Sequence, residues 1–266
     1  MRRLLQFLSG RSKREAACGA NSCSLRHAGL SHLGRTRGNN EDRWFADPAE
    51  RLYLVSDGMG GQFAGELASR VVVEVLPAEV RKAVGDAETL ADPATSDRVV
   101  QSVAELSRNL RRESEREPGL SGMGATLVLA LVRNRQALVV HMGDSRAYLW
   151  RAGELRRLTR DHTLVQLLLE GGVLDQSQAA THPARNQLSR FVGMPSEPLP
   201  ESQLVDLQPG DRLLLCTDGL TGMLDDEQLR VMLGAEADLE RICQRLIEAA
   251  NAAGGKDNVT ALVLAM

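Results

Sequence analysis

Asp57 ends the apolar run "YLVSD", Asp144 ends "VVHMGD" and Asp218 ends "LLLCTD", while Asp257 precedes the last run in "GGKDNV". Asp-Gly is a strong hairpin signal, so each acid taken singly reads as a turn residue. The chain after Asp57 and after Asp218 passes into helix-like patterns, however, and a hairpin accounts for neither. Carboxylates gathered at neighbouring strand ends repel one another unless they are protonated or neutralised by cations. Oxygen donors with no cysteine and little histidine suit magnesium or manganese better than zinc. Gly58 lacks a side chain and lets its own carbonyl approach a metal, and Gly60 and Gly61 are free to take positive φ. Asp57 is therefore expected to be a metal ligand at a rigid strand end.

"GRTRGNNEDRW", residues 34–44, extends the set. Arg37 offers a planar fork that matches phosphate oxygens, and Glu41 and Asp42 follow at a spacing that can face the same metals. Read alone, the segment is equally well a solvated charged loop. Two metals and a phosphate-binding arginine are the equipment for hydrolysing a phosphate ester with metal-activated water.

These residues must be positioned by strands, and the sequence supplies them. "RLYLVSD", "ATLVLALV", "QALVVHMGD", "RAYLWRAG", "DRLLLCTDG" and "VTALVLAM" read as strands, several joined by turn residues such as "RNRQ" and "RAGE". Residues 64–83, 97–116 and 237–252 carry apolar positions at helical spacing. Strands outnumber helices and do not alternate with them, which predicts an α+β fold with antiparallel sheet.

Composition sets the class. The 266 residues are 43% hydrophobic and 25% charged, ordinary values for a globular protein, and 3% aromatic, so the core must be aliphatic. A net charge of -3 and the lack of a basic stripe interleaved with aromatics speak against a nucleic-acid partner. Cys18, Cys23, Cys216 and Cys243 form no CxxC pair, the usage of a reducing compartment. "LVLALV" is far shorter than the roughly 20 residues that span a bilayer. The opening "MRRLLQFLSGRSKRE" has five basic residues against one acid, so it carries +4 and the rest of the chain -7. Its apolar stretch is too short for a signal-peptide core. A basic tail over residues 1–23, solvated or weakly anchored at a membrane through Leu4, Leu5 and Leu8, is expected to precede one domain over 24–266.

The chain resembles the metal-dependent protein phosphatases of type 2C in their compact bacterial form. "GRTRGNNED", "DGMGGQFAGELAS", "GMGATLVLALV", "HMGDSRAYLWRAGEL", "LTRDHTLVQLLLEGGV", "HPARNQLSRFVG", "LLLCTDGLTG" and "GGKDNVTALVL" follow the family's motifs in order from about Ser24 to Met266. The resemblance implies a four-layer α-β-β-α sandwich, two antiparallel sheets flanked by helices, with two Mn2+ or Mg2+ ions at one edge. Asp57 would bridge both ions, with the Gly58 carbonyl on one, Asp218 and Asp257 on the other, and Glu41 and Asp42 supporting through water. Arg37 would hold the phosphate. A weak third ion would draw on Asp144. Residues 159–187 would form a mobile flap beside the site.

The implied activity is hydrolysis of phosphoserine and phosphothreonine on proteins by a metal-bound water, in the cytoplasm, opposing a serine/threonine kinase and acting on its substrates. Met59 stands where animal members carry a histidine, which leaves the general acid unassigned; His162 is a candidate, and a surface histidine satisfied by a neighbouring carboxylate is the alternative. Gly222 replaces an acid common in the family. A phosphatase of small phosphoesters and a metal-free pseudophosphatase acting as a binding module are the rival readings.

Overall fold

The computed structural model describes residues 25–60, 63–85, 87 and 89–266. The expected tail and Gly61 lie outside them. Eleven strands are present among the described residues: β1 Arg26–His32, β2 Asp42–Asp47, β3 Leu52–Met59, β4 Gly124–Ala125, β5 Leu127–Arg133, β6 Gln136–Met142, β7 Arg146–Arg151, β8 Glu154–Arg157, β9 Glu201–Asp206, β10 Arg212–Cys216 and β11 Val259–Ala265. The helices are α1 Ala64–Val84, α2 Pro93–Arg116, α3 Leu164–Glu170, α4 Gln176–Thr181, α5 Asp218–Thr221, α6 Asp226–Ala235 and α7 Leu239–Ala252.

One sheet runs β1-β11-β10-β7-β8 and the other β2-β3-β5-β6-β9, with β4 paired to β3. The pairings are antiparallel. Period-two alternation explains the layering. Leu52 and Leu54 of β3 join Val72 and Leu76 of α1 and Val99 and Val103 of α2 in an outer core. Tyr53 and Val55, one residue out of phase, join Leu213, Leu215, Leu262 and Leu264 between the sheets. On the far side Leu214, Ala261 and Val263 pack on Leu229 of α6 and on Ile242, Leu246 and Ile247 of α7. Strands buried on both faces lose polar alternation, which is why "LVLALV" of β5 reads as a continuous apolar run. Burying one such leucine contributes about 2 kcal/mol.

Helix starts follow local chemistry. Asp92 accepts from the Ala94 N–H ahead of α2, whose first residue is Pro93. Asp225 and Gln228 form a reciprocal capping box at α6, and Asp238 caps α7. The architecture is the expected four-layer sandwich.

Candidate metal centre

Strand direction brings the acids to one end of the sandwich. Asp57 lies near the end of β3, and its register partner across β2 is Asp42. Asp144 follows β6, Asp218 follows β10 and opens α5, and Asp257 precedes β11. Each chain direction is antiparallel to its neighbour's, so strand ends and strand starts alternate along this edge, and the site draws on both sheets. Burial raises the carboxyl of Asp57 well above the usual range, and Asp42, Asp218, Asp144 and Asp257 raise it further. Asp218 is pushed up to about 6 by burial and then by Asp257. Asp144 is likewise held high, by burial first and by Asp218 next.

The loops are fastened by groups that sequence reasoning passed over. The Asn258 amide donates to Leu33 O and Asn39 O, each at 2.9 Å, and its Oδ1 accepts from the Glu41 N–H at 2.8 Å. Arg35 N–H donates to Gly255 O at 2.7 Å and the Thr36 hydroxyl to Lys256 O at 2.6 Å. These bonds tie residues 33–41 to the loop of Asp257 and set Arg37 beside it. Thr126 holds Asp57: its Oγ1 accepts from the Asp57 N–H at 2.9 Å, and its own N–H donates to Asp57 O at 2.8 Å. The visible signal was an Asn adjoining the acid in "KDNV" and a Thr within "GATL", both common residues in turns and strands.

Gly58 has a packing reason beyond the one expected. A Cβ there would stand 2.0 Å from Gly65 O, so the first turn of α1 rests directly on the β3 backbone. Gly60 takes φ +143, as its place in the turn required.

Asp42, expected to support the metals through water, is buried beneath the cluster. It is 1% exposed; Oδ2 accepts from the Thr217 hydroxyl at 2.9 Å and the Thr260 hydroxyl at 2.7 Å, while Oδ1 is buried without a protein partner. Burial raises its pKa to about 7. Any water link to the metals must start from that oxygen. Glu41 projects over Gly65, where a Cβ would meet its carboxyl carbon at 2.8 Å.

The donor set fits hard divalent cations. Several buried carboxylates converge. Arg37 contacts Asp257 at 2.7 Å, and Arg146 is engaged by Asp161 at 2.7 Å. The mutual repulsion of the buried carboxylates is what hydrated Mg2+ or Mn2+ would relieve.

A cavity of about 620 Å³ adjoins the acids, walled by Asp144, Asp218 and Asp257 on one side and by Thr163, Gln166 and Arg185 of the flap on the other. His162 stands elsewhere. It is 2% exposed, accepts at Nδ1 from the Gly143 N–H at 3.2 Å and sets Nε2 3.3 Å from Glu201 Oε1. Burial, then His141, lowers its pKa to about 4. A neutral ring whose remaining proton faces Glu201 does not suit the general-acid role; the ring meets a carboxylate, as the alternative expected, but it does so buried and not on the surface.

A four-layer sandwich with a carboxylate cluster at the shared edge of its sheets defines a metal-dependent hydrolase of phosphate esters. The profile of the family described as Protein phosphatase 2C matches residues 28–263, and the chain belongs to that family. It is 34% identical to the serine/threonine phosphatase stp of Listeria monocytogenes serotype 4b over 234 residues, 87% of this chain and 92% of that one. Among solved structures it is similar to PppA, described as a key regulatory component of T6SS in Pseudomonas aeruginosa, with 34% identity, a TM-score of 0.77 and coverage of 91% of this chain and 97% of that one. The catalytic domain of the phosphatase PstP in complex with two manganese ions has 36% identity and a TM-score of 0.75, over 91% of this chain and 97% of that one.

Proposed function

We propose that the chain removes phosphate from phosphoserine and phosphothreonine of proteins, with two Mn2+ or Mg2+ ions held by Asp57, the Gly58 carbonyl, Asp218 and Asp257, and a weaker third ion at Asp144. The carrying observation is the convergence of buried acids from both sheets beside the phosphate-matching fork of Arg37. Divalent cations bound there supply Lewis acidity: they neutralise the phosphate and lower the proton affinity of the attacking water.

The chain's own residues orient the reaction. Arg37 presents Nη2 at the rim of the cluster beside Asp257, and its planar fork would take two phosphate oxygens there. Thr126 fixes Asp57 through its backbone, and Thr217 and Thr260 fix Asp42 beneath it, so the carboxylates need little rearrangement during turnover. The flap lines one wall of the approach through Thr163, Gln166 and Arg185. The intact acids favour catalysis over a pseudophosphatase, and the open cleft suits a peptide. In the cell the enzyme opposes a serine/threonine kinase in the cytoplasm. No helix among the described residues is long and apolar enough to cross a membrane.

The test is release of phosphate from phosphothreonine peptides by purified protein, with manganese and with chelator, against nucleotide and sugar phosphates. Manganese-dependent release with kcat/KM for peptides above that for the small esters supports the reading. Higher kcat/KM for the small esters would turn it to a small-phosphoester phosphatase, and no release from either would leave a binding module.

A further inference from the structure

His162 lies at the root of the flap and is not used by the chemistry above, yet it is among the most connected side chains near the site. Its N–H donates to Gly143 O at 3.0 Å, and the Gly143 N–H donates back to His162 Nδ1 at 3.2 Å. Gly143 therefore spends both backbone groups on one residue, and it immediately precedes Asp144. An accepting Nδ1 leaves the ring proton on Nε2, which faces Glu201. The His162 carbonyl accepts from the Ser189 N–H at 2.8 Å, and Thr163 bridges to Leu188, so both ends of the flap close on this residue. Glu201 Oε1 also takes Arg190 at 2.8 Å and Arg160 at 2.5 Å.

The opposite side of the turn is equally fixed. Gly143 has φ +115, and a Cβ there would stand 2.7 Å from Thr126 Cβ. Thr126 Oγ1, which holds Asp57, also bonds Ser145 Oγ at 2.6 Å. The Gly143–Asp144 turn is thus clasped between Thr126, which carries Asp57, and His162, which carries the flap.

His141, His162 and Glu201 bring potential ligand atoms within 4.8 Å of one another. A metal there would have to displace two guanidiniums from Glu201, and the imidazoles are stacked with ring centroids 4.6 Å apart and 18° between planes. The cluster is a hydrogen-bonded joint with its cations already supplied by arginine.

We propose that His162 is a positioning residue that latches the flap root to the Gly143–Asp144 turn, so that placement of the Asp144 carboxylate and closure of the flap depend on each other. The proposal rests on the reading of Asp144 as a ligand of a divalent ion. His162→Asn keeps an acceptor near Nδ1 for Gly143 and gives up Glu201. His162→Gln keeps a donor near Nε2 for Glu201 and gives up Gly143. The full chain is compared by Mn2+ titration calorimetry, hydrogen exchange of residues 143–144 and 163–189, and phosphopeptide kinetics.

In the Gln variant, loss of one buried backbone hydrogen bond should weaken the loosest Mn2+ step by about fivefold, speed exchange at 143–144 and lower kcat. The Asn variant should keep the wild-type Mn2+ isotherm while exchange rises at 186–190. Glu201→Gln, which leaves the turn intact, should reproduce the Asn pattern. Asn and Gln variants that behave alike, or a Gln variant with wild-type isotherm and exchange, would overturn the latch; so would equal drops in Tm for both with wild-type kinetics, the mark of simple packing. If the wild type releases no phosphate, the phosphatase reading fails, while the exchange data still judge the latch.

Discussion

Arg37 and Asp257, 220 residues apart, meet in a hydrogen bond of 2.7 Å from the guanidinium to Oδ2. From sequence, Arg37 concerns phosphate alone. The contact makes it a competitor for a carboxylate that a cation would use. The pair is part exposed, 51% and 31%, so its contribution is modest, on the order of 0.2–1 kcal/mol. Arg37→Ala should raise KM for a phosphopeptide by roughly tenfold, about 1.4 kcal/mol. It should also tighten Mn2+ binding by about two- to fivefold, the factor matching that pair energy. Steady-state kinetics and calorimetry measure the two effects, and an unchanged KM would remove Arg37 from phosphate binding.

Asp57 sets function against stability. Its charge is disfavoured by burial and by four neighbouring acids. Asp57→Asn should cut kcat at least tenfold, a barrier increase of about 1.4 kcal/mol or more. In chelator the same variant should melt higher than wild type by roughly 2–4 °C for each 1 kcal/mol of relieved repulsion. Differential scanning calorimetry with EDTA decides this, and a lower Tm would mean that the carboxylate is held by favourable contacts.

Gly222 adopts φ -77 and ψ -15, so it needs no glycine for its backbone. A Cβ would stand 2.9 Å from the backbone oxygen of Asp218, so the turn that carries Asp218 must shift to admit a side chain. Gly222 lines the same cavity as Asp144 and Asp218. Gly222→Asp should therefore lower the Mn2+ concentration for half-maximal rate by about threefold, since an added charged oxygen raises affinity for a hard cation. Titrating Mn2+ against rate for this variant and Asp144→Ala tests it; an unmoved midpoint in the first, or an undiminished rate in the second, removes the weak third ion.

His162 gives a pH signature. Its folded pKa is lowered to about 4, while the unfolded chain binds the proton near 6.5. Between those values the unfolded state holds more protons, so the stability tied to neutral His162 is complete above 6.5 and is lost as pH falls toward 4. His141 is lowered in the same direction by burial and remains in the variant. The Tm of wild type minus that of His162→Gln should fall from pH 7 to pH 4.5. A constant difference would show that the ring carries no such linkage.

The long strands and helices were legible because both of their periodicities are strong. The patterns over 64–83 and 237–252 became α1 and α7 within a few residues at each end. β1, β2, β8 and β9 were not read, because half-exposed residues such as "RHAGLSH", "ELRR" and "ESQLVD" show little apolar excess. The acids were found through their positions at the ends of apolar runs. Asn258, Thr126 and Thr217 were missed since their work is done through contacts as far apart as 225 residues, and their local signals are residues common in turns and strands. His162 was singled out by type with its role left open: the sequence names a titratable ring, whereas the partners on its two nitrogens decide what it does.

The site's division between sheets also sets the order in which its parts can assemble during synthesis. Asp57 and Asp42 emerge early, but Asp257 and β11, the strand between β1 and β10, come last. A ribosome-bound chain short of residue 257 lacks one carboxylate, the Asn258 clasp on the Arg37 loop and a central strand of its sheet. Contacts of such long sequence separation form late. The edge that gathers the acids is therefore incomplete until Asp257 and β11 are in place.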